Sequence, residues 1–458
     1  MTFANKFIFF LLCALIVFTT IAYGTVHQPV IALFYLVIAI IPILWAVDGF
    51  QSGGNKFSKS LIQIPLYAAA IYGLIQVFPL GTQSDTADVA NIARTISLDS
   101  FSTQTAALNF LALAIFLSAI LSVTDSAKRL QKIVYVVTVF GFAYAFFAIL
   151  QSVLSPAKIY GIYEVRNGSP FGSFVNRNNF AAYMEMALCL PLGLIFVGGI
   201  KKDKRLLYVT AIVLMGIALV LSGSRGGLVA LLAQIIFLII LTTKSNNYGQ
   251  IALKAGLSVM LIAAIIFGSI FVGGETSLTR IAETGLSENS TTDRTHIWDV
   301  TVRVIKDNLP LGAGLGAFGV AYTKHDSFSG LERVEQAHND YLQVLADAGI
   351  IGLMLGIFFI FRLFRAGFKN LKTENTFRRG IVVGALAGCF SIFVHSVFDF
   401  VLHTTAISVL FLTLVSLVIS AGNDFEDDVE EIYPRRKKSR QPATVTPIAE
   451  GRKRKELQ

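Results

Sequence analysis

The segment EQAHNDYLQVLADAGIIG places a histidine, His338, directly before a run of residues with helical character. Asn339 or Asp340 can cap this helix, so His338 lies at its entrance. The positive end of the helix dipole favours an uncharged imidazole that can accept a proton. A lone histidine is more often a polar residue at an interface, but two arginine-containing segments can share a site with it. His338 is therefore the candidate catalytic residue.

A second candidate lies at the tip of a turn rich in glycine and serine, LSGSRGG at 221–227, which joins two apolar runs. Ser222 or Ser224 can cap the following helix, and the glycines allow a ligand to approach the backbone. A helix N-terminus with a guanidinium group beside it suits a phosphate. Taken alone, the turn fits equally well a membrane-surface turn from which Arg225 reaches lipid headgroups.

A third candidate, Arg294, lies in STTDRTHIWDVTVRVIKDNLPLGAGLGAFG at 290–319. Apolar residues follow it at helical spacing: Ile297, Trp298, Val302 and Ile305. With a cap at Thr292 or Asp293, this predicts an amphipathic helix along the membrane surface that ends at Pro310. A basic residue in the first turn gains nothing from the helix dipole, which points to a separate reason such as an anionic ligand.

Two further arginines are supporting candidates. Arg177 in FVNRNNF can reach the same site, although a contact with lipid headgroups explains it as well. Arg280 is less specific, and a solvated surface charge is its simpler interpretation.

Carboxylates and further histidines also occur in these loops: Asp293, Asp299, Asp326, Asp340, His296 and His325. They form no compact carboxylate pair and no HxxxH-like spacing of the kind that holds a divalent ion. We therefore expect a metal-independent site that needs no cofactor.

These segments belong to a chain that is too apolar for a soluble domain. Of its 458 residues, 54% are hydrophobic and 15% are charged, and the mean hydropathy is +0.66. A transmembrane helix needs about 20 apolar residues, and many apolar runs of this chain approach that length. We predict an all-α polytopic bundle with spans near 7–23, 30–50, 61–80, 105–123, 133–154, 179–199, 206–222, 227–242, 251–273, 341–361, 381–401 and 404–420.

The basic residues set the predicted orientation, because the side of the membrane that retains Lys and Arg is cytoplasmic. Much of the net charge of +9 lies in alternate loops and the tail, so we expect no nucleic-acid partner. Both termini are predicted to be cytoplasmic. Residues 274–340 then form an outer, catalytic loop between the spans of 1–273 and those of 341–420, and residues 421–458 form a disordered charged tail that can touch anionic lipid.

Six motifs occur in a fixed order, from GSFVNRNNFAAYMEMALCLPLG at 172–193 through LSGSRGG, DRTHIWDV, NLPLGAGLGAFG and AHNDYLQVLADAGIIGL to HSVFDF at 395–400. In these motifs, and in hydropathy over most of its length, the chain resembles the O-antigen ligase and polymerase superfamily of membrane glycosyltransferases. The resemblance implies a GT-C-like bundle of about twelve spans in the bacterial inner membrane, with its active site in the periplasm.

The resemblance also implies substrates and residue roles. Such enzymes pass a glycan from an undecaprenyl-pyrophosphate carrier to an acceptor hydroxyl. Arg225 and Arg294 would bind the pyrophosphate by charge-assisted hydrogen bonds, and His338 would accept the proton of the attacking hydroxyl in an inverting displacement. Asp399 matches a late aspartate of the family whose role is less defined.

Several functions share this chemistry. The acceptor is lipid A-core in a ligase, a second carrier-linked repeat in an O-antigen or exopolysaccharide polymerase, and a serine or threonine in a protein O-oligosaccharyltransferase. A last span followed by only a charged tail favours the first two, and we expect ligation to lipid A-core. A transporter or flippase is the alternative of another class, but no internal repeat is visible and few charges, such as Glu185, lie within spans.

Overall fold

A computed structural model of the chain describes residues 1–54, 57–83, 92–156, 158–165, 168–243, 248–273, 288–326 and 333–423. Its helices in these ranges are α1 (Phe3–Ile21), α2 (Gln28–Ser52), α3 (Ile64–Gln76), α4 (Ser100–Val123), α5 (Ala127–Leu154), α6 (Arg177–Val197), α7 (Arg205–Leu221), α8 (Arg225–Thr242), α9 (Tyr248–Gly273), α10 (Glu288–Asn308), α11 (Phe318–Thr323), α12 (Asp340–Asn370), α13 (Thr376–His395) and α14 (Thr405–Ser420). The described residues also form two short antiparallel pairs, β1 (Thr82–Gln83) with β2 (Ile92–Ala93) and β3 (Lys158–Ile159) with β4 (Tyr163–Glu164). Four short 3-10 helices in the same ranges lie at Tyr23–Thr25, Leu61–Gln63, Lys202–Lys204 and Val401–His403.

The predicted all-α polytopic bundle is confirmed. Within the described ranges, ten helices are long and apolar enough to cross a membrane. Two shorter apolar helices, Leu61–Gln76 and Thr405–Ser420, account for the remaining predicted runs. At 1.5 Å per residue, the 16 residues of α14 span about 24 Å, less than the roughly 30 Å of a hydrocarbon core. The twelve apolar runs are therefore present as helices, but two of them are shorter than full spans.

Helices α6 and α13 form the centre of the bundle. In the most apolar stretch of each of these two helices, 83% and 72% of the residues are buried, whereas in α9 the share is 11%. The two helices touch at Gly193 and Gly384, where a Cβ on Gly193 would lie 2.3 Å from the backbone nitrogen of Gly384. Only glycine permits this approach. The central pair therefore has little freedom to shift, and residues of the candidate site lie at its ends.

Helix α12 is interrupted at Gly349, where φ is 58° and ψ is −148°. The glycine-rich loop 310–316 packs against this break, and the backbone N–H of Ala313 donates to the carbonyl of Ala346 at 2.8 Å. Loop bonds of this kind replace hydrogen bonds that the helix loses at the interruption. The loop is thereby fixed to the bundle close to the start of α12.

Helix α10 is the predicted amphipathic helix, and it ends before Pro310 as predicted. Its apolar face packs on protein, where we expected the membrane surface. Val300 and Val304 are fully buried in a small core shared with α11 and α12. Trp298 Nε1 donates to the carbonyl of Ala337 at 3.0 Å, which fastens α10 to the residue before His338. Below, the loop face is the end of the bundle that carries residues 288–326 and 333–339.

Candidate active site

His338 lies on the loop face, two residues before the start of α12. Its φ of +49° is a left-handed conformation that costs a residue with a side chain on the order of 1 kcal/mol. Asn339 caps α12, because its Oδ1 accepts hydrogen bonds from the N–H groups of Tyr341 and Leu342 at 2.9 and 3.1 Å. The ring of Phe400 meets the imidazole edge-on with centroids 4.9 Å apart.

A single buried carboxylate, Asp399, connects His338 to Arg294. The Nδ1 atom of His338 is 3.2 Å from Oδ1 of Asp399, and Nη2 of Arg294 is 3.9 Å from Oδ2. The side-chain amide of Asn178 donates to the same Oδ2. The backbone N–H of Phe400 donates to Oδ1 at 2.9 Å. Residues that are far apart in sequence therefore meet at one carboxylate.

The surroundings of Asp399 keep it ionised. Its side chain is 2% exposed, and burial alone would raise its pKa. The hydrogen bond and charge interaction with His338, the Phe400 N–H and the charge of Arg294 outweigh burial, so the pKa of Asp399 lies below its ordinary value. A charged carboxylate favours the tautomer in which Nδ1 of His338 donates to it, and Nε2 then holds a lone pair that can accept a proton.

The position of Arg294 within α10 differs from the prediction. The helix begins at Glu288, so Arg294 lies beyond the first turn and the argument from the helix dipole does not apply. The ion pair with Asp399 and a side chain that is 38% exposed place Arg294 at the edge of the site.

Arg225 begins α8 on the same face. Ser224 caps α8, because its Oγ accepts a hydrogen bond from the N–H of Gly227 at 3.1 Å. The Arg225 side chain is exposed. Among the residues that the structure describes, no ion pair of Arg225 is found, and the partner of His338 is Asp399. Its guanidinium group is therefore accessible to a ligand.

The turn at residues 221–227, called the Arg225 turn below, nevertheless lies against the other parts of the site. A Cβ placed on Gly223 would lie 3.6 Å from Nη1 of Arg177, the first residue of α6. A Cβ placed on Gly226 would lie 3.5 Å from Cβ of Phe398, which precedes Asp399. The structure thus brings His338, Arg294 and Asp399 into contact and places Arg225 and Arg177 beside them.

Three helix N-termini converge at this place. Asn176 caps α6, Ser224 caps α8 and Asn339 caps α12. Next to these caps, Asn178 and His338 each contact Asp399, and Gly226 lies beside Phe398. Helix N-termini carry partial positive charge and unpaired N–H groups, so the arrangement suits an anion.

A comparison with known families identifies this region. Residues 210–357 match the O-antigen ligase family model. This match supports assignment to the O-antigen ligase superfamily. Together with the apolar helices, the match supports a multi-pass membrane protein with glycosyl transfer of the O-antigen ligase or polymerase type, a type that in general uses lipid-linked glycan and acceptor substrates. No curated protein matches the sequence.

The ligase domain, residues 210–357, holds only part of the site. It includes His338, Arg225 and Arg294, whereas Asp399 and Asn178 lie outside it. Asn178 was missed in the sequence analysis. The one signal available was a polar start, NRNN, to an otherwise apolar helix, and that signal does not reveal a partner more than 200 residues away.

A second histidine–carboxylate pair holds the ligase domain against the segment that carries Asp399. Nδ1 of His403 is 3.0 Å from Oδ1 of Asp340. The hydroxyl of Ser396 donates to Oδ2 of Asp340 at 2.7 Å. Because Asp340 begins α12, these bonds fix the backbone that carries His338. From the sequence, Asp340 is a possible helix cap and one of the loop carboxylates, and no pattern points to His403.

The His403–Asp340 pair predicts a pH-dependent stability. The His403 side chain is 37% exposed, and its partial burial would lower the pKa, but its hydrogen bond and charge interaction with Asp340 raise the pKa above the ordinary value. A raised folded-state pKa stabilises the fold below the unfolded pKa of about 6.5, and this contribution is lost as the pH rises through the folded-state pKa. We expect His403→Gln to lower the melting temperature of the detergent-solubilised protein more at about pH 5.5 than at about pH 9. An equal decrease at both pH values would contradict this.

Some predictions fall on other parts of the chain. Arg280 and most of the predicted tail lie outside the described residues, and the domain boundaries at 274, 341 and 421 stay predictions. In the described ranges, no group of three His, Cys, Asp or Glu side chains is arranged to hold a metal ion.

Proposed function

We propose that this ligase-family protein transfers a glycan from undecaprenyl pyrophosphate to a hydroxyl of lipid A-core. The supporting observation is the Asp399 carboxylate, which orients His338 on one oxygen and pairs with Arg294 on the other. The family match supports the substrate class. The loop face is then periplasmic in the bacterial inner membrane, and both termini are cytoplasmic, in agreement with the basic residues of the opposite loops.

His338 is the general base of the proposed reaction. Its Nε2 takes the proton of the acceptor hydroxyl while the hydroxyl oxygen attacks the anomeric carbon of the donor sugar. The bond from that carbon to the pyrophosphate oxygen breaks in the same step, and the anomeric configuration inverts. Asp399 stabilises the imidazolium that forms. The products are the glycosylated acceptor and undecaprenyl pyrophosphate.

Arg225 and Arg294 bind the pyrophosphate in this proposal. Both guanidinium groups are accessible, and the distance of 3.9 Å between Arg294 and Asp399 is longer than a hydrogen bond, so Arg294 can turn toward a phosphate oxygen. Charge-assisted hydrogen bonds from both groups would stabilise the negative charge that grows on the leaving oxygen. Arg177 and the N-termini of α6 and α8 add positive potential on the same side.

We further propose that the two guanidinium groups take the place of a divalent cation. The donors around the site are guanidinium and imidazole groups and one carboxylate that is already occupied, whereas Mg²⁺ and Ca²⁺ prefer several free oxygen ligands. The purified protein is expected to retain its transfer rate to within about twofold in excess EDTA. A loss of transfer that a divalent ion restores would overturn this part of the proposal.

Deleting the gene tests the acceptor. The lipopolysaccharide and the carrier-linked glycans of the mutant cells are compared with those of the parent strain. Loss of a ligase leaves long polymer on the carrier and unmodified core on the surface. Core that bears a single repeat would instead identify a polymerase and overturn ligation. Unchanged glycans together with an altered solute flux would support the transporter alternative.

A further inference from the structure

A buried histidine–glutamate pair lies beneath the Arg225 turn and has no part in the proposed chemistry. Nδ1 of His395, the last residue of α13, is 2.8 Å from Oε1 of Glu185 on α6. Both side chains are fully buried. The other ring nitrogen of His395, Nε2, has no hydrogen-bond partner among the described residues. Burying such a polar atom is unfavourable, so its position needs an explanation.

The unpaired edge of His395 faces the first turn of α8. A Cβ on Gly226 would lie 2.9 Å from Nε2 and 3.0 Å from Cδ2 of His395. A Cβ on Gly227 would lie 3.3 Å from Oε1 of Glu185. All three distances are shorter than ordinary van der Waals contact, so the two glycines let α8 rest directly on the pair. The two glycines directly follow Arg225 in sequence, so the backbone of Arg225 lies next to the histidine–glutamate pair.

His395 also begins the segment that carries the carboxylate of the site. The N–H groups of Phe398 and Asp399 donate to the carbonyl oxygen of His395 at 2.8 and 3.2 Å. Within the same segment, the carbonyl of Val397 accepts a hydrogen bond from the side chain of Asn339 at 3.0 Å. Residues 395–400 therefore contact the Arg225 turn at one end and the surroundings of His338 at the other.

We propose that Glu185 and His395 form a positioning pair for Arg225. The pair seats the first turn of α8 and, through residues 395–400, fixes the distance between the Arg225 guanidinium and the base. It acts through Gly226 and does not touch the substrate. The inference rests on the proposed function, because it assigns the pair to binding of the carrier pyrophosphate.

Binding of undecaprenyl pyrophosphate to the full-length protein tests the inference. The chain has two tryptophans, and Trp298 is bonded to the residue before His338. In a Trp45→Phe background, Trp298 fluorescence therefore reports on the site. Arg225→Ala is expected to raise the Kd about 30-fold, in the range for a hydrogen bond to a charged group.

The double variant provides the decisive comparison. His395→Ala is expected to raise the Kd about tenfold, and His395→Ala combined with Arg225→Ala to match Arg225→Ala to within about twofold. Once the guanidinium is absent, the pair has nothing left to position. A variant that is only less well folded would bind fewer equivalents with an unchanged Kd.

Conservative and steric variants add controls. His395→Asn, whose amide atoms can occupy the places of Nδ1 and Cδ2 and so keep the hydrogen bond to Glu185, is expected to recover most of the affinity that His395→Ala loses. Gly226→Ala is expected to weaken binding, because its methyl group would displace the turn from His395. Gly256→Ala in α9 is the matched control, because a Cβ there meets nothing within 4 Å, and its Kd should be unchanged.

The outcomes separate the two proposals. If Arg225→Ala binds as tightly as the parent protein, the proposed function is wrong. If Arg225→Ala binds weakly and His395→Ala weakens it by a further factor of about ten, the proposed function stands and the positioning role is wrong. If His395→Ala does not fold, Gly226→Ala decides, and an unchanged Kd for that variant overturns the inference.

Discussion

Replacing His338 with alanine is expected to lower the kcat of glycan transfer about 10³-fold, within the range of about 10² to 10⁴ that general acid–base catalysis contributes. The variant removes the nitrogen that accepts the proton, while Arg225 and Arg294 still bind the carrier. The KM for the donor should therefore change little. Because the imidazole side chain is 32% exposed, its removal leaves no closed cavity and the variant should fold. Initial rates of the purified protein with carrier-linked glycan and acceptor provide the measurement.

His325→Ala is the matched control for this experiment. His325 also forms a histidine–carboxylate pair on the loop face, with Nε2 3.2 Å from Oδ2 of Asp307. It is not joined to Asp399, so its replacement should leave the rate within about threefold of the parent protein. A folded His338→Ala protein that transfers glycan at the parent rate would refute the proposed base.

The spans could be predicted because their cause is local. A run of about 20 apolar residues must form a helix in a bilayer, where each backbone N–H and C=O group needs a partner within the helix. The interruption of α12 at Gly349 has a different cause, since it depends on contacts with loop 310–316. Hydropathy carries no information about such contacts, so the start of α12 was read as continuous with its span.

The candidate site was predictable in residue type but not in its contacts. A histidine at a helix entrance, His338, and an arginine at a helix start, Arg225, can be read from spacing alone. The carboxylate beside His338 lies 61 residues from it, and Asn178 lies 221 residues from Asp399. Periodicity shows which face of a helix is apolar, but not which distant turns meet. Asp399 was therefore a candidate through the family resemblance only.

Glu185 illustrates the same limit. An ionisable residue within a predicted span needs a partner, and the sequence offered none nearby. From the sequence, Glu185 is therefore one of the few charges within spans that bear on the transporter alternative. In the structure its partner is His395, 210 residues away, and the pair lies beneath the Arg225 turn. The contact makes Glu185 part of the surroundings of the candidate site.

Replacing Asp399 with asparagine is expected to lower kcat about 10²- to 10³-fold with little change in fold, within the range that general acid–base catalysis contributes. The amide has nearly the same shape but can donate to Nδ1 of His338, which would place the proton on Nε2 and remove the base. It also gives no charge stabilisation to an imidazolium. Asp326→Asn, which alters a pair with His296 (3.2 Å), is the matched control and should keep the rate within about threefold.

The pH dependence of stability distinguishes a charged Asp399 from one that only fills space. Because the pKa of Asp399 is lowered in the folded protein, its stabilising effect should be present at neutral pH and lost only as the pH falls through the folded-state pKa. The parent protein should therefore melt at a higher temperature than Asp399→Asn at neutral pH, and this difference should shrink in acid. If Asp399→Asn melts lower at neutral pH yet keeps the parent kcat, the carboxylate only holds the loop in place and His338 works without it.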